Sequence, residues 1–108
     1  MSWDCSMRID TGGEHLTRIT EVRNVTYNNS RIFAFLGVCP GDLEGKTGHV
    51  VRPMVLKAIS KAFEPENQEA LLALEPANKW GGLEDVKDFL MKLETACKEH
   101  PLASVYFS

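Results

Sequence analysis

Hydrophobic and polar positions alternate over the first nine residues. Trp3, Cys5, Met7 and Ile9 share one parity, and Ser2, Asp4, Ser6 and Arg8 the other. A period of two over this length predicts a half-buried strand at residues 2–9. Asp10-Thr11-Gly12-Gly13 then supplies a turn. Residues 15–25, rich in Thr, Val and Ile, predict a second strand that closes a hairpin with the first. Its apolar residues Leu16, Ile19, Val22 and Val25 are spaced by three and do not share a parity. A β-bulge accounts for that spacing; the competing helical reading is disfavoured by the β-branched content.

Helical spacing takes over beyond the polar junction Thr26-Tyr27-Asn28-Asn29-Ser30. Asn29 or Ser30 can cap a short helix at 31–36, which Gly37 can end. Residues 37–48 have loop composition. Thr47 is positioned to cap a helix at 49–63, with Val51, Val55, Ala58, Ile59 and Ala62 along one side and Pro53 in its first turn. Pro65 suits the start of a short helix through Leu74, and Pro76 stops it. The clearest helix spans 83–99: Val86, Phe89, Leu90, Leu93, Ala96 and Cys97 form one stripe, with Glu84 and Asp85 at its start and Lys98 at its end. Residues 102–107 alternate again, Ala103, Val105 and Phe107 against Leu102, Ser104 and Tyr106, and predict a final strand. The order β-β-α-α-α-α-β implies an α+β fold in a single domain, residues 1–108. It has a three-stranded sheet in order 2-1-3, with three to four helices packed on one face.

Size and charge narrow the functional classes. A chain of 108 residues supports one core but no deep enclosed cavity of several hundred Å³ beside it. A small-molecule site is therefore expected in a surface groove or between two copies of the chain, which leaves homo-oligomerisation open. The net charge of −3, without a basic stripe, argues against nucleic acid as a partner. Three cysteines with no Cys-x-x-Cys pattern suit free thiols in a reducing compartment. The first residues lack the features of a secretory signal, and no stretch approaches the ~20 apolar residues of a membrane span. A cytoplasmic protein with no membrane partner is expected.

Each candidate chemical motif has a plainer explanation. Asp10-Thr11-Gly12 matches the aspartic-protease triplet, but those enzymes are almost entirely β, and a hairpin turn explains the residues. Gly41-Asp42-Leu43-Glu44-Gly45-Lys46-Thr47 approaches a phosphate-binding loop but is one residue short, with Pro40 where the first glycine belongs. Lys46, Thr47, Gly48 and His49 still open a helix whose first N–H groups could face an anion. Cys97 and His100 could supply half a metal site, but no second pair has matching spacing. No catalytic residue, metal ligand or cofactor is assigned. Two aromatics stand apart because polar, flexible backbone flanks them: Tyr27 in a cluster with Asn24, Asn28 and Asn29, and Trp80 between Asn78 and two glycines. Each could cover the core or serve as a stacking platform. Phe33, Phe35, Phe63 and Phe89 lie within helical stripes and are assigned to packing.

Thr26-Tyr27-Asn28, Pro76-Ala77-Asn78-Lys79-Trp80-Gly81, Phe89-Leu90, Ala96-Cys97 and His100-Pro101, in this order, resemble a group of small proteins from phages, prophages and related mobile elements. The group has no assigned activity. The resemblance implies a phage accessory or counter-defence role. The expected function is non-enzymatic binding of a host protein through Trp80, Tyr27, Asn28 and Asn78. The first alternative is a sponge for a small nucleotide-like ligand, with the aromatics stacking the base and Lys46 and His49 meeting the phosphate. An enzyme of unknown class is the second.

Overall fold

Strand β1, Ser2–Ile9, lies at the centre of an antiparallel sheet ordered β2-β1-β3, with β2 at Thr17–Thr26 and β3 at Ser104–Phe107. The computed structural model describes residues 2–78 and 80–108. Among these, five α-helices separate β2 from β3: α1 (Ser30–Leu36), α2 (Pro40–Leu43), α3 (Gly48–Phe63), α4 (Gln68–Leu72) and α5 (Leu83–Glu99). Short 3-10 turns precede α1 at Tyr27–Asn29 and α4 at Pro65–Asn67. The α+β class and strand order agree with the sequence reading. The helix count is slightly higher than the three to four expected, because α2 forms within the expected 37–48 loop. Pro40 opens it, and the Asp42 carboxylate accepts from the Cys39 N–H at 3.2 Å.

The threefold spacing in β2 results from two bulges. Cys5 pairs with Arg23 and Ser6 with Glu21, leaving Val22 as an extra residue; Met7 pairs with Thr20 and Arg8 with Arg18, leaving Ile19. Each inserted residue resets the parity by one. Cys5, Met7, Val25 and Val105 are buried beneath the helices. The outer face is polar: Asn24 donates to Ser2 Oγ and Asp4 Oδ1 at 3.0 and 2.8 Å. Arg8 bonds Ser6 Oγ at 3.2 Å and lies 5.5 Å from the centre of the Tyr106 ring. Ile9, assigned by parity to the inner face, is exposed, since it lies beyond the last β3 pair, Arg8 with Ser104.

Helix α5 packs on β2 and against α3, and α3 reaches β3. The predicted stripe of α5 is buried along its whole length, from Val86 to Cys97. In α3, Val51, Val55, Ala58 and Ala62 are buried. Pro53 is the sixth residue of α3, in its second turn rather than its first, so the His49 carbonyl lacks its intrahelical donor. An aromatic series runs from surface to core: Tyr27 to Trp3 at 4.0 Å between ring centres, Trp3 to Phe107 at 6.4 Å, Phe107 to Phe89 at 6.2 Å, and Phe89 to Phe33 at 5.7 Å. Phe107 is half-buried rather than enclosed, while Val105 is fully buried.

Residues 45–48 run beside β3 and cover its free edge. The Gly45 N–H donates to Val105 O, the Val105 N–H to Lys46 O, and the Gly48 N–H to Ala103 O, all at 2.8–2.9 Å. Ending the chain after Pro101 should therefore remove a sheet partner, buried Val105 and these bonds. We expect a loss of several kcal/mol, about 1.5–3 for each large buried side chain, and no cooperative thermal transition by circular dichroism. A fragment melting like the full chain would show that β3 is dispensable.

The thiols differ in access. Burial pushes the Cys97 thiol up to about 11, with Glu94 adding to the shift, and it also raises Cys5. Cys39 is half-exposed and raised by partial burial and Asp42. Since thiolate is the nucleophile, iodoacetamide at pH 8 should modify Cys39 first, with Cys5 and Cys97 reacting only on unfolding. Equal rates at the three sites, measured by mass spectrometry, would contradict this packing.

Candidate functional site

The first turn of α5 is built by residues distant in sequence. Its cap position is Gly82, which has no side chain to accept the turn's free N–H groups. Asn29 and Glu75 accept them instead: Asn29 Oδ1 takes the Gly82 N–H and Glu75 Oε2 the Leu83 N–H, both at 2.8 Å. Asn29 is fully buried, and its Nδ2 donates to Asp85 Oδ2 at 2.7 Å. Asp85 Oδ1 accepts from Arg23 of β2, whose Nη1 also reaches the Asp85 carbonyl at 2.8 Å and Asp88 Oδ2 at 3.0 Å. One buried amide thus joins the Tyr27–Asn29 turn, the α5 N-terminus and the edge strand.

This framework holds Trp80 outside. Gly81 has φ of +92°, and a Cβ there would lie 2.5 Å from Asn29 Oδ1 and 2.7 Å from the Thr26 methyl. The loop therefore rests directly on the turn that contains Tyr27 and Asn28, an approach only glycine permits. The Trp80 N–H donates to Asn78 Oδ1 at 3.0 Å, and its side chain is 72% exposed. Tyr27 is half-buried against Trp3, and the Asn28 N–H donates to Thr26 Oγ1 at 3.3 Å. Four of the six residues singled out from the sequence, Tyr27, Asn28, Asn78 and Trp80, thus lie on two loops that meet through Thr26, Asn29 and Gly81.

Lys46 and His49 lie elsewhere. Thr47 bridges to Ser104, level with Arg8, six residues along β1 from Ser2, the partner of Thr26. At ~3.3 Å per residue that is about 20 Å, with β1 and β3 intervening in the strand order. The expected anion site at the start of α3 is also taken up by the chain itself. The Gly48 N–H donates to Ala103 O, the His49 N–H to Pro101 O and the Val50 N–H to Thr47 O. Lys46 Nζ turns back to the Asp42 carbonyl, and His49 Nδ1 lies 3.0 Å from Thr47 Oγ1 and 3.1 Å from Pro101 O. The aromatics and this helix start do not form one nucleotide site.

Other features resolve as packing or turns. Asp10 Oδ1 accepts the Gly12 N–H at 2.8 Å, so the Asp-Thr-Gly carboxylate closes the hairpin turn. Among the described residues no group of three or more His, Cys, Asp or Glu is placed to hold a metal ion, and no helix is long and apolar enough to cross a membrane. A groove of about 610 Å³ opens beside β2, lined by Val22, Leu56, Ile59, Met91 and Ala96. A smaller recess of about 260 Å³ between α3 and α5 includes His49, Pro53 and Cys97. No protein family, curated protein or solved structure matches the chain.

Sequence reasoning did not connect Arg23, Asn29, Glu75 and Asp85: it gave Asp85 only as a charge at the helix start, Asn29 as a cap or a member of the polar cluster around Tyr27, and no role to Glu75. The available signal was the pair Gly81-Gly82 immediately before the helix, a start that must borrow acceptors from elsewhere. Phe63, assigned to packing, is 51% exposed. Replacing Asn29 with Ala should remove a bond to a charged group and leave the Gly82 N–H unpaired, costing about 2–4 kcal/mol in urea unfolding. A double-mutant cycle with Asp85→Ala should give a coupling of about 1 kcal/mol. Additivity of the two changes would separate Asn29 from this network.

Proposed function

We propose that this chain is a non-enzymatic binding protein that engages another protein through the end of the molecule at the α5 N-terminus, with Trp80 as the anchor. The observation that carries this reading is Trp80 itself: a large aromatic, 72% exposed, on a loop held against a buried asparagine. Exposing an indole costs solvation free energy that packing would recover, and aromatic anchors on ordered backbone dominate protein interfaces. Tyr27 and Asn28 extend the surface on the side of β2. The resemblance to phage and mobile-element proteins adds a context, an accessory or counter-defence factor acting on a host protein.

The test compares Trp80→Ala and Tyr27→Ala with Lys46→Ala and Asp10→Asn, using variants that keep a wild-type melting curve. Proteins captured from host lysate by the unmodified chain should be lost or weakened by at least about tenfold with Trp80→Ala, as for an interface hot spot. Lys46→Ala and Asp10→Asn should leave capture unchanged. Normal capture by both aromatic variants would refute the reading. The polar outer sheet face around Arg8 and Tyr106 would then be the better candidate; Arg23 does not belong to it, being paired to α5.

A further inference from the structure

The end of the molecule that carries Trp80 has a larger apolar surface with a one-sided charge. Three large apolar side chains stand exposed on the segments around the first turn of α5: Phe63 at the end of α3 (51%), Leu72 at the end of α4 (54%) and Trp80 (72%). The segments are tied to that turn. Lys87 Nζ lies 4.6 Å from the centre of the Phe63 ring and 3.3 Å from Glu84 Oε1. Gln68 of α4 bonds the same ammonium at 3.5 Å, and Glu75 receives the Leu83 N–H. Exposed apolar side chains on segments that meet at one helix start, with polar neighbours, are where a partner could bury apolar area.

The rim is acidic. Residues 62–84 include five glutamates, Glu64, Glu66, Glu69, Glu75 and Glu84, against the single Lys79, a net charge of −4 in a chain whose total is −3. All five glutamates are exposed. The neighbouring cation, Lys87, has a side chain only 13% exposed and is engaged by Phe63, Glu84 and Gln68. The neighbouring Glu66 carboxyl raises the Glu64 pKa above its ordinary value. A cation brought to this rim would offset its negative charge, whereas phosphate or an acidic surface would add to it.

Building on the reading of Trp80 as a binding anchor, we infer that the partner presents a basic amphipathic segment of protein. Its apolar side chains cover Phe63 and Leu72, and its arginines stack on Trp80 and pair with the surrounding glutamates. Guanidinium suits both tasks, since it lies flat on an indole face and forks onto carboxylates.

The test is a nitrogen-15 NMR titration of the full chain with two short helical peptides, one with arginine opposite leucine and one with glutamate replacing arginine. The basic peptide should shift the Trp80 indole N–H and the amides of residues 62–84, bind at least about tenfold tighter than the acidic one, and weaken with added salt. The combined change Glu64→Gln, Glu66→Gln and Glu69→Gln, with its melting curve checked, should abolish that preference. Unperturbed Trp80, equal affinity for both peptides, or concentration-dependent self-association through residues 62–84 would each overturn the inference. Binding at Trp80 that the glutamine variant leaves unchanged would remove the charge argument and keep the anchor. Retention of the lysate partner by Trp80→Ala would instead remove the anchor itself.

Discussion

The buried side chain of Asn29 fixes three separate parts of the chain at once. Its carbonyl oxygen holds the backbone of Gly82, and its amide nitrogen holds Asp85, which in turn holds Arg23 on β2. No apolar residue could take this place. Gly82 and Leu83 begin a helix whose first N–H groups need acceptors, and the sharp glycine entry leaves none within the loop itself. The pair between Arg23 and Asp85 is only partly exposed, with side chains at 27% and 23%. Charges so placed are stable while each keeps its partners and costly when one is removed. The network therefore specifies one packing of α5 on the sheet more than it adds to overall stability.

The same constraint holds the backbone next to an exposed tryptophan. Gly81 presses against Asn29 and Thr26, and Asn78 bonds the Trp80 N–H. A surface organised before binding loses less conformational freedom on association, so more of the contact free energy appears as affinity. Tyr27 is organised in another way, by stacking on Trp3 at the outer end of an aromatic series that reaches the buried Phe33. The two aromatics chosen from sequence for the same reason thus differ in the structure: Tyr27 leans on the core, and Trp80 does not.

Much of the fold was legible because its signals are local. The alternation of β1, the stripe of α5 and the alternating last strand each report one element packed on one side, and the spacing of three in β2 anticipated its bulges. The sheet order was inferred from the position of the last strand. What could not be read depends on contacts between distant segments. Nothing near Lys46 indicates that residues 45–48 would pair with β3 and take up the N–H groups that appeared free for an anion. Nothing near Asn29 names Gly82 or Asp85 as its partners. The apolar side chain of Phe63 suggested burial, yet it is the last residue of α3 and stays exposed, with Lys87 over its ring.

Both sheet edges are built against pairing with a further strand. An open edge offers unpaired backbone groups to another chain, and proteins limit this by bulging, charging or covering it. The β3 edge is covered by residues 45–48. The β2 edge is bulged at Val22 and Ile19 and carries Arg18, Glu21 and Arg23, so a second strand would meet a ladder whose register breaks twice within a few residues. Extension of the sheet is thereby opposed at both sides. On the outer face Asn24 bonds Asp4 and Ser2, and Arg8 lies over Ser6 and Tyr106. With strand addition opposed at both edges, contacts with another chain fall to exposed side chains, and Phe63, Leu72 and Trp80 are three of these on segments tied to the first turn of α5.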